Sequence, residues 1–140
     1  DLEIVRFLAR RSYQSVSIFE SEFQDRSFPF FAVTYGGGAY DSRTMGTGEL
    51  AALFLWWTLK RAERNAILLI EEPESFLSPI SQSAFCAVLT AHILRNKSLA
   101  IVSSHSAAVI DAVSPLSLQF VGRGDRDVVV EGNPRAIQLS

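Results

Sequence analysis

The chain has 140 residues, of which 48% are hydrophobic and 11% aromatic, so it can build one domain with a packed core and is not disordered as a whole. Its formal net charge of -2 leaves no global basic footprint, so a nucleic-acid contact would need a local patch or polypeptide outside these residues. The longest apolar run, Leu50 to Leu59, is too short to span a bilayer, and the single cysteine, Cys86, has no disulfide partner and reads as a packed thiol in a reducing cytosol.

In chain order, the spacing of Leu2, Ile4, Val5 and Leu8 predicts a helix over Asp1 to Arg11. Arg6, Arg10 and Arg11 fall toward its end, where cations complement the helix dipole. The chain opens inside this helix without an initiator Met, and we expect a fragment of a longer protein. Ser15 to Phe23 alternates, and Phe28 to Tyr35 is a β-branched and aromatic run, with polar Gln24 to Ser27 between them, so a hairpin or meander is expected. Phe28, Phe30, Phe31 and Tyr35 read as core rather than as a base-stacking platform, because no Lys or Arg is interleaved with them. Gly36 to Gly38 is not a Walker A loop: no Gly-Lys-Ser/Thr comes after it, and the chain contains none.

The loop Ser42 to Glu49 feeds an apolar helix over Leu50 to Leu59. Free backbone N–H groups, the positive dipole end and the hydroxyls of Ser42, Thr44 or Thr47 suit a phosphate there. An ordinary cap by Thr47, with Glu49 in the first turn, accounts for the same residues. Trp56 and Trp57 point to different sides of this helix, so at least one is expected on the sheet, and Lys60, Arg61 and Arg64 close it.

Ile67 to Pro73 reads Ile-Leu-Leu-Ile-Glu-Glu-Pro. Four apolar residues in a row predict a parallel strand covered on both faces, ending in two acids at its carboxyl end, where open α/β sheets bind ligands. Glu71 suits a hydrated Mg2+ and Glu72 suits polarisation of an attacking water; equally, the pair can cap the next helix or simply end the strand. Ser75 to Ser78 is a short loop, Pro79 starts a helix that continues through Ala84 to Leu94, and Leu99 to Val102 is a second buried strand. That strand ends in Ser103-Ser104-His105-Ser106 before a short helix over Ala107 to Val113. Parallel pairing would bring His105 to the tip that carries Glu71 and Glu72. His92, in mid-helix, is read as structural. Leu116 to Val121 and Val128 to Glu131 are expected as strands joined by a turn over Gly122 to Asp125.

These residues carry a resemblance. Met45-Gly46-Thr47-Gly48-Glu49 resembles the signature motif of ABC-type ATPases, Ile67 to Pro73 their Walker B strand with its catalytic acid, Ser75-Phe76-Leu77-Ser78 their D-loop, and His105 their switch histidine. Order and spacing agree for all four, over roughly Tyr40 to Ile110. Glu-Glu-Pro-Glu followed by Leu77-Ser78-Pro79 is similar to the SMC, RecF and OLD-like branch, which includes ATPases of DNA repair and of antiphage systems such as retrons and Septu.

The resemblance implies an α/β fold with a mostly parallel sheet and flanking helices, the carboxyl-terminal lobe of a P-loop NTPase of ABC type, preceded by a helix and β-hairpin. We expect one domain over 1–140, with 1–39 as lead-in and 40–140 as the lobe. It further implies ATP and Mg2+ as cofactors, with Glu71 placing the metal, Glu72 orienting the hydrolytic water and His105 contacting the terminal phosphate. Met45, Gly46, Thr47, Gly48 and Glu49 would serve the nucleotide of the other subunit in a homodimer. A nuclease or nucleic-acid partner is expected, and no membrane partner. Three positions depart from the pattern: Gly46 stands where the family usually has Ser, Glu71 where it has Asp, and Ser78 where a His is common. The rival expectation is a non-hydrolysing dimerisation module with a degenerate ATPase fold.

Overall fold

The computed structural model describes residues 1–124 and 127–132; Asp125, the last residue of the expected Gly122 to Asp125 turn, lies outside them. Helix α1 (Leu2–Ala9) buries Val5 and Leu8 and stops where Arg10 turns left-handed. Strands β1 (Ser15–Phe23), β2 (Arg26–Tyr35) and β3 (Gly38–Asp41) then form an antiparallel meander in the order β1-β2-β3. Gln24 and Asp25, at φ 48 and 59, make the first two-residue turn, and Gly36 and Gly37, at φ 60 and 81, make the second. Two successive positive φ values match the right-handed twist of the flanking strands, a conformation that Asp25 and the two glycines adopt readily and Gln24 less so.

The alternation of β2 corrects the expected aromatic core. Phe31 and Val33 are buried, whereas Phe28 and Tyr35 are exposed. Phe28 and Phe30 lie on the opposite face of the pleat from Phe31, and Tyr35 sits at the strand end. Cations that are absent from the local sequence arrive through folding: the Arg43 guanidinium lies 5.9 Å from the Phe30 ring centre and that of Arg11 5.4 Å from the Tyr35 ring centre.

Helix α2 (Thr47–Arg61) buries both Trp56 and Trp57. Gly46, not Thr47, is its N-cap residue, and among the described residues no side-chain hydrogen bond caps it. The Trp57 indole N–H donates to Glu20 Oε1 at 2.8 Å and Arg61 pairs with Glu20 Oε2 at 2.5 Å, tying β1 to α2. The bonds from Trp57 and then Arg61 hold the Glu20 carboxyl below its usual range.

Strand β4 (Ile67–Glu71), helix α3 (Pro79–Asn96) and strand β5 (Leu99–Ser103) form a crossover unit with the two strands parallel, in a register that sets Glu71 opposite Ser103. Ser78 caps α3 and Pro79 occupies its first turn, where the missing N–H costs nothing. Leu68, Ile70, Ala100 and Val102 pack against the core, which is built around Val5, Leu8, Tyr13, Phe31, Leu53 and Phe85. Cys86 is buried there, as a packed thiol should be.

The expectation that both faces of these strands are covered does not hold. Ile67, Leu69, Leu99 and Ile101 all face outward, with Leu69 76% exposed, because α3 and the core cover only one side of the pair. Helix α4 (Ala107–Asp111) comes after β5, and β6 (Gln119–Arg123) pairs antiparallel with β7 (Val128–Gly132) in a ribbon whose Phe120, Val121 and Val128–Val130 are exposed. Among the described residues no helix is long and apolar enough to cross a membrane.

Candidate functional site

The parallel register decides where the polar residues gather. Glu71 ends β4 opposite Ser103, and the backbone N–H of Glu72 extends the ladder by one bond to Ser103 O at 2.9 Å. Glu72 then turns left-handed, at φ 40 and ψ 59, so that Pro73 can start a 3-10 helix over Pro73–Phe76. A non-glycine residue in this region costs about 1 kcal/mol or more, as at Arg10, Gln24 and Asp25. From the second strand tip, His105 presents Nε2 3.4 Å from Glu72 Oε1, with side-chain exposures of 89% and 48% for the two residues. Ser75 Oγ also points at Glu72, reaching Oε2 at 3.4 Å.

Beneath this exposed pair is a polar bracket. Glu74 Oε1 accepts the Ser104 hydroxyl at 2.8 Å and the His105 backbone N–H at 2.6 Å. Burial opposes the charge on Glu74, but its own backbone N–H, that of His105 and the Ser104 hydroxyl together hold its carboxyl below the usual range. Gln82 adds a second tie, donating to Leu77 O at 2.8 Å and accepting the Ser106 hydroxyl at 2.5 Å. Ser78 takes no part in this network; its hydroxyl caps α3 through Ser81.

The Met45 to Glu49 loop meets the other end of the 3-10 helix. A Cβ on Gly48 would lie 2.8 Å from the Phe76 carbonyl oxygen, so only glycine lets the first turn of α2 approach this closely. Gly46, by contrast, has open space around it. Glu49 is anchored inward, its Oε1 accepting the hydroxyls of both Tyr13 and Tyr40 at 2.5 Å. Burial, reinforced by Glu49, raises the Tyr13 phenol well above its ordinary value and pushes Tyr40 up to about 12. Thus Glu72, Ser75 and His105 come together at the strand tips, Glu71 ends β4 next to them, Phe76 and Gly48 join at the adjoining turn, Leu77 is buried, and Ser78 is a helix cap. Among the described residues no hydrogen bond links Met45–Glu49 to Glu71, Glu72 or His105.

Residues 5–111 match the family described as "AAA domain, putative AbiEii toxin, Type IV TA system". The chain belongs to this family. No curated protein matches it. Among solved structures its fold is similar to an SMC ATPase characterised for ATP-driven dimerisation and DNA-stimulated activation, with a TM-score of 0.67 at 15% identity over 96% of this chain and 84% of the other. It is also similar to an SMC head bound to the C-terminal winged-helix domain of ScpA, with a TM-score of 0.70 at 16% identity over 97% of this chain and 42% of the other. A third likeness is the Pyrococcus furiosus SMC head bound to the C-terminal domain of ScpA, with a TM-score of 0.54 at 14% identity over 97% of this chain and 34% of the other. The chain therefore spans less than half of the two ScpA-bound heads.

The donor set of this AAA-family chain suits Mg2+ better than a fully protein-bound ion. Among the described residues no three His, Cys, Asp or Glu side chains are grouped to hold a metal. Mg2+ needs no such group, since it keeps several waters and takes one or two carboxylates plus substrate phosphates; Glu71, exposed at the strand tip, is a carboxylate of that kind. Reading the sequence alone missed Glu74, Gln82, Tyr13 and Tyr40. Glu74 was legible as the fourth member of Glu-Glu-Pro-Glu, but nothing local marked the long-range partners of the other three.

Proposed function

We propose that this chain is the carboxyl-terminal lobe of an ATP-hydrolysing ABC-type ATPase that works as a homodimer. The observation that carries the reading is the meeting of Glu72 and His105 at 3.4 Å on the tips of adjacent parallel strands, beside Glu71. Glu71 would hold a hydrated Mg2+, which would supply charge neutralisation at the nucleotide's phosphates. Glu72 accepts a hydrogen bond from the attacking water and takes its proton, while His105 would contact the terminal phosphate. The Met45–Glu49 loop presents the uncapped amino terminus of α2 to the nucleotide of the second subunit, with Gly46 and Thr47 exposed and the hydroxyl of Thr47 replacing the usual serine.

The phosphate cradle belongs to polypeptide outside these residues, since the chain has no Gly-Lys-Ser/Thr. The uncovered aliphatic face of β4 and β5 and the greater length of the two ScpA-bound SMC heads support a second lobe that seats on this face. Within the SMC, RecF and OLD-like branch, a cytoplasmic role in DNA repair or in antiphage defence of retron or Septu type fits best, gating a nuclease or a nucleic-acid partner. The Glu-Glu-Pro-Glu run with Leu77-Ser78-Pro79 supports that placement, as does the toxin system in the family's description. A non-hydrolysing dimerisation module is the second reading, and it gains if the full-length protein also lacks a phosphate loop. Mg2+-dependent ATP turnover by the full-length protein decides between them: turnover supports the enzyme, and ATP-independent dimerisation without turnover supports the module.

A further inference from the structure

The His105 side chain is almost entirely in solvent, and its contact with Glu72 is a single 3.4 Å approach. A side chain so exposed has no packing of its own to fix its direction, so its orientation must come from the backbone that carries it. That backbone is held on both sides. Glu74 receives the hydroxyl of Ser104 and the amide of His105 on one oxygen, and Gln82, only 7% exposed, receives the hydroxyl of Ser106. The far ends of both ties lie in the segment directly after Glu72: Glu74 is in the 3-10 helix, and Gln82 donates to the carbonyl of Leu77, which closes that helix. The second oxygen of Glu74 is buried with no hydrogen-bond partner among the described residues, an arrangement that costs free energy.

We propose that Glu74, assisted by Gln82, is a positioning residue that locks the Ser104–Ser106 loop to the Glu72 turn and so fixes His105 against Glu72. The proposal rests on the ATPase reading above and extends it to residues that do not touch nucleotide. What matters is an acceptor at the right reach rather than a charge, because Oε1 alone receives both donors. Two conservative variants of the full-length protein separate these properties. Glu74→Gln keeps an oxygen at the same reach and loses the charge, whereas Glu74→Asp keeps the charge and falls one methylene short.

Steady-state hydrolysis and hydrogen exchange of the 104–106 amides are measured on both. Glu74→Gln is expected to keep amide protection and a kcat within about threefold of wild type. Glu74→Asp is expected to lose the protection and to lower kcat by about 10- to 100-fold with KM little changed, the scale of a misplacement near 1 Å. Wild-type kcat in Glu74→Asp, or an equal loss in both variants, overturns the positioning role while leaving the ATPase reading intact. A wild-type protein without ATP turnover overturns the ATPase reading and this role with it.

Discussion

His105 Nε2 and Glu72 Oε1 lie 3.4 Å apart although they come from different strands, and the distance is set by the backbone register that puts Glu71 opposite Ser103. The side chains themselves contribute little to it. Replacing His105 with Ala should therefore leave stability within about 0.5 kcal/mol of wild type, as for other exposed positions. Hydrolysis by the full-length protein should fall sharply. Thermal melts and turnover rates on the same preparation check both halves; a large loss of melting temperature would make the histidine structural.

Leu69 gives the opposite test. A leucine in the middle of a continuous apolar strand is expected to be core, yet it is 76% exposed here. In this 140-residue chain Leu69→Ala should cost under about 1 kcal/mol, whereas Phe85→Ala, at a fully buried position, should cost about 3 to 5 kcal/mol. If a second lobe covers this face, Leu69→Ala in the full-length protein should rise to about 2 to 5 kcal/mol. Urea unfolding midpoints measure all three, and an unchanged small cost in the full-length protein would argue that the face stays open.

That contrast also marks what the sequence makes legible. The strand at Ile67–Glu71, the helix behind Pro79 and the tip that carries His105 can be read from local pattern, since apolar runs, proline and strand-end acids act over a few residues. The coverage of a strand depends on neighbours, so a run of Ile and Leu looks the same whether its second face meets a helix or solvent. The Glu-Glu-Pro-Glu run announces carboxylates without saying that the fourth one turns inward to Ser104 and His105. Tyr13 and Tyr40 are still less readable: they converge on Glu49 only after the meander has folded against α2.

The tyrosine pair predicts an alkaline limit. Burial and then Glu49 raise both phenols, Tyr40 to about 12 and Tyr13 further, above an unfolded value near 10. A raised acid binds its proton more tightly when folded, so its contribution is fully present below about pH 10 and is lost as pH climbs through the folded values. Stability should thus decline from about pH 10 upward, and Tyr40→Phe should flatten that decline. Far-ultraviolet circular dichroism recorded against pH, with phenolate absorbance in parallel, checks this. Free ionisation of Tyr13 and Tyr40 near pH 10 with the fold intact would contradict the buried Tyr13–Glu49–Tyr40 arrangement.

The role of Glu72 is tested most directly by Glu72→Gln in the full-length protein, with nucleotide binding, dimerisation and turnover measured together. The amide keeps the shape of the side chain but cannot take the water's proton. The account predicts Mg-ATP affinity near that of wild type, ATP-bound dimers that accumulate, and turnover slower by about 100-fold or more. Hydrolysis within about threefold of the wild-type rate would contradict it, because the strand-tip acid facing His105 would then not be the base.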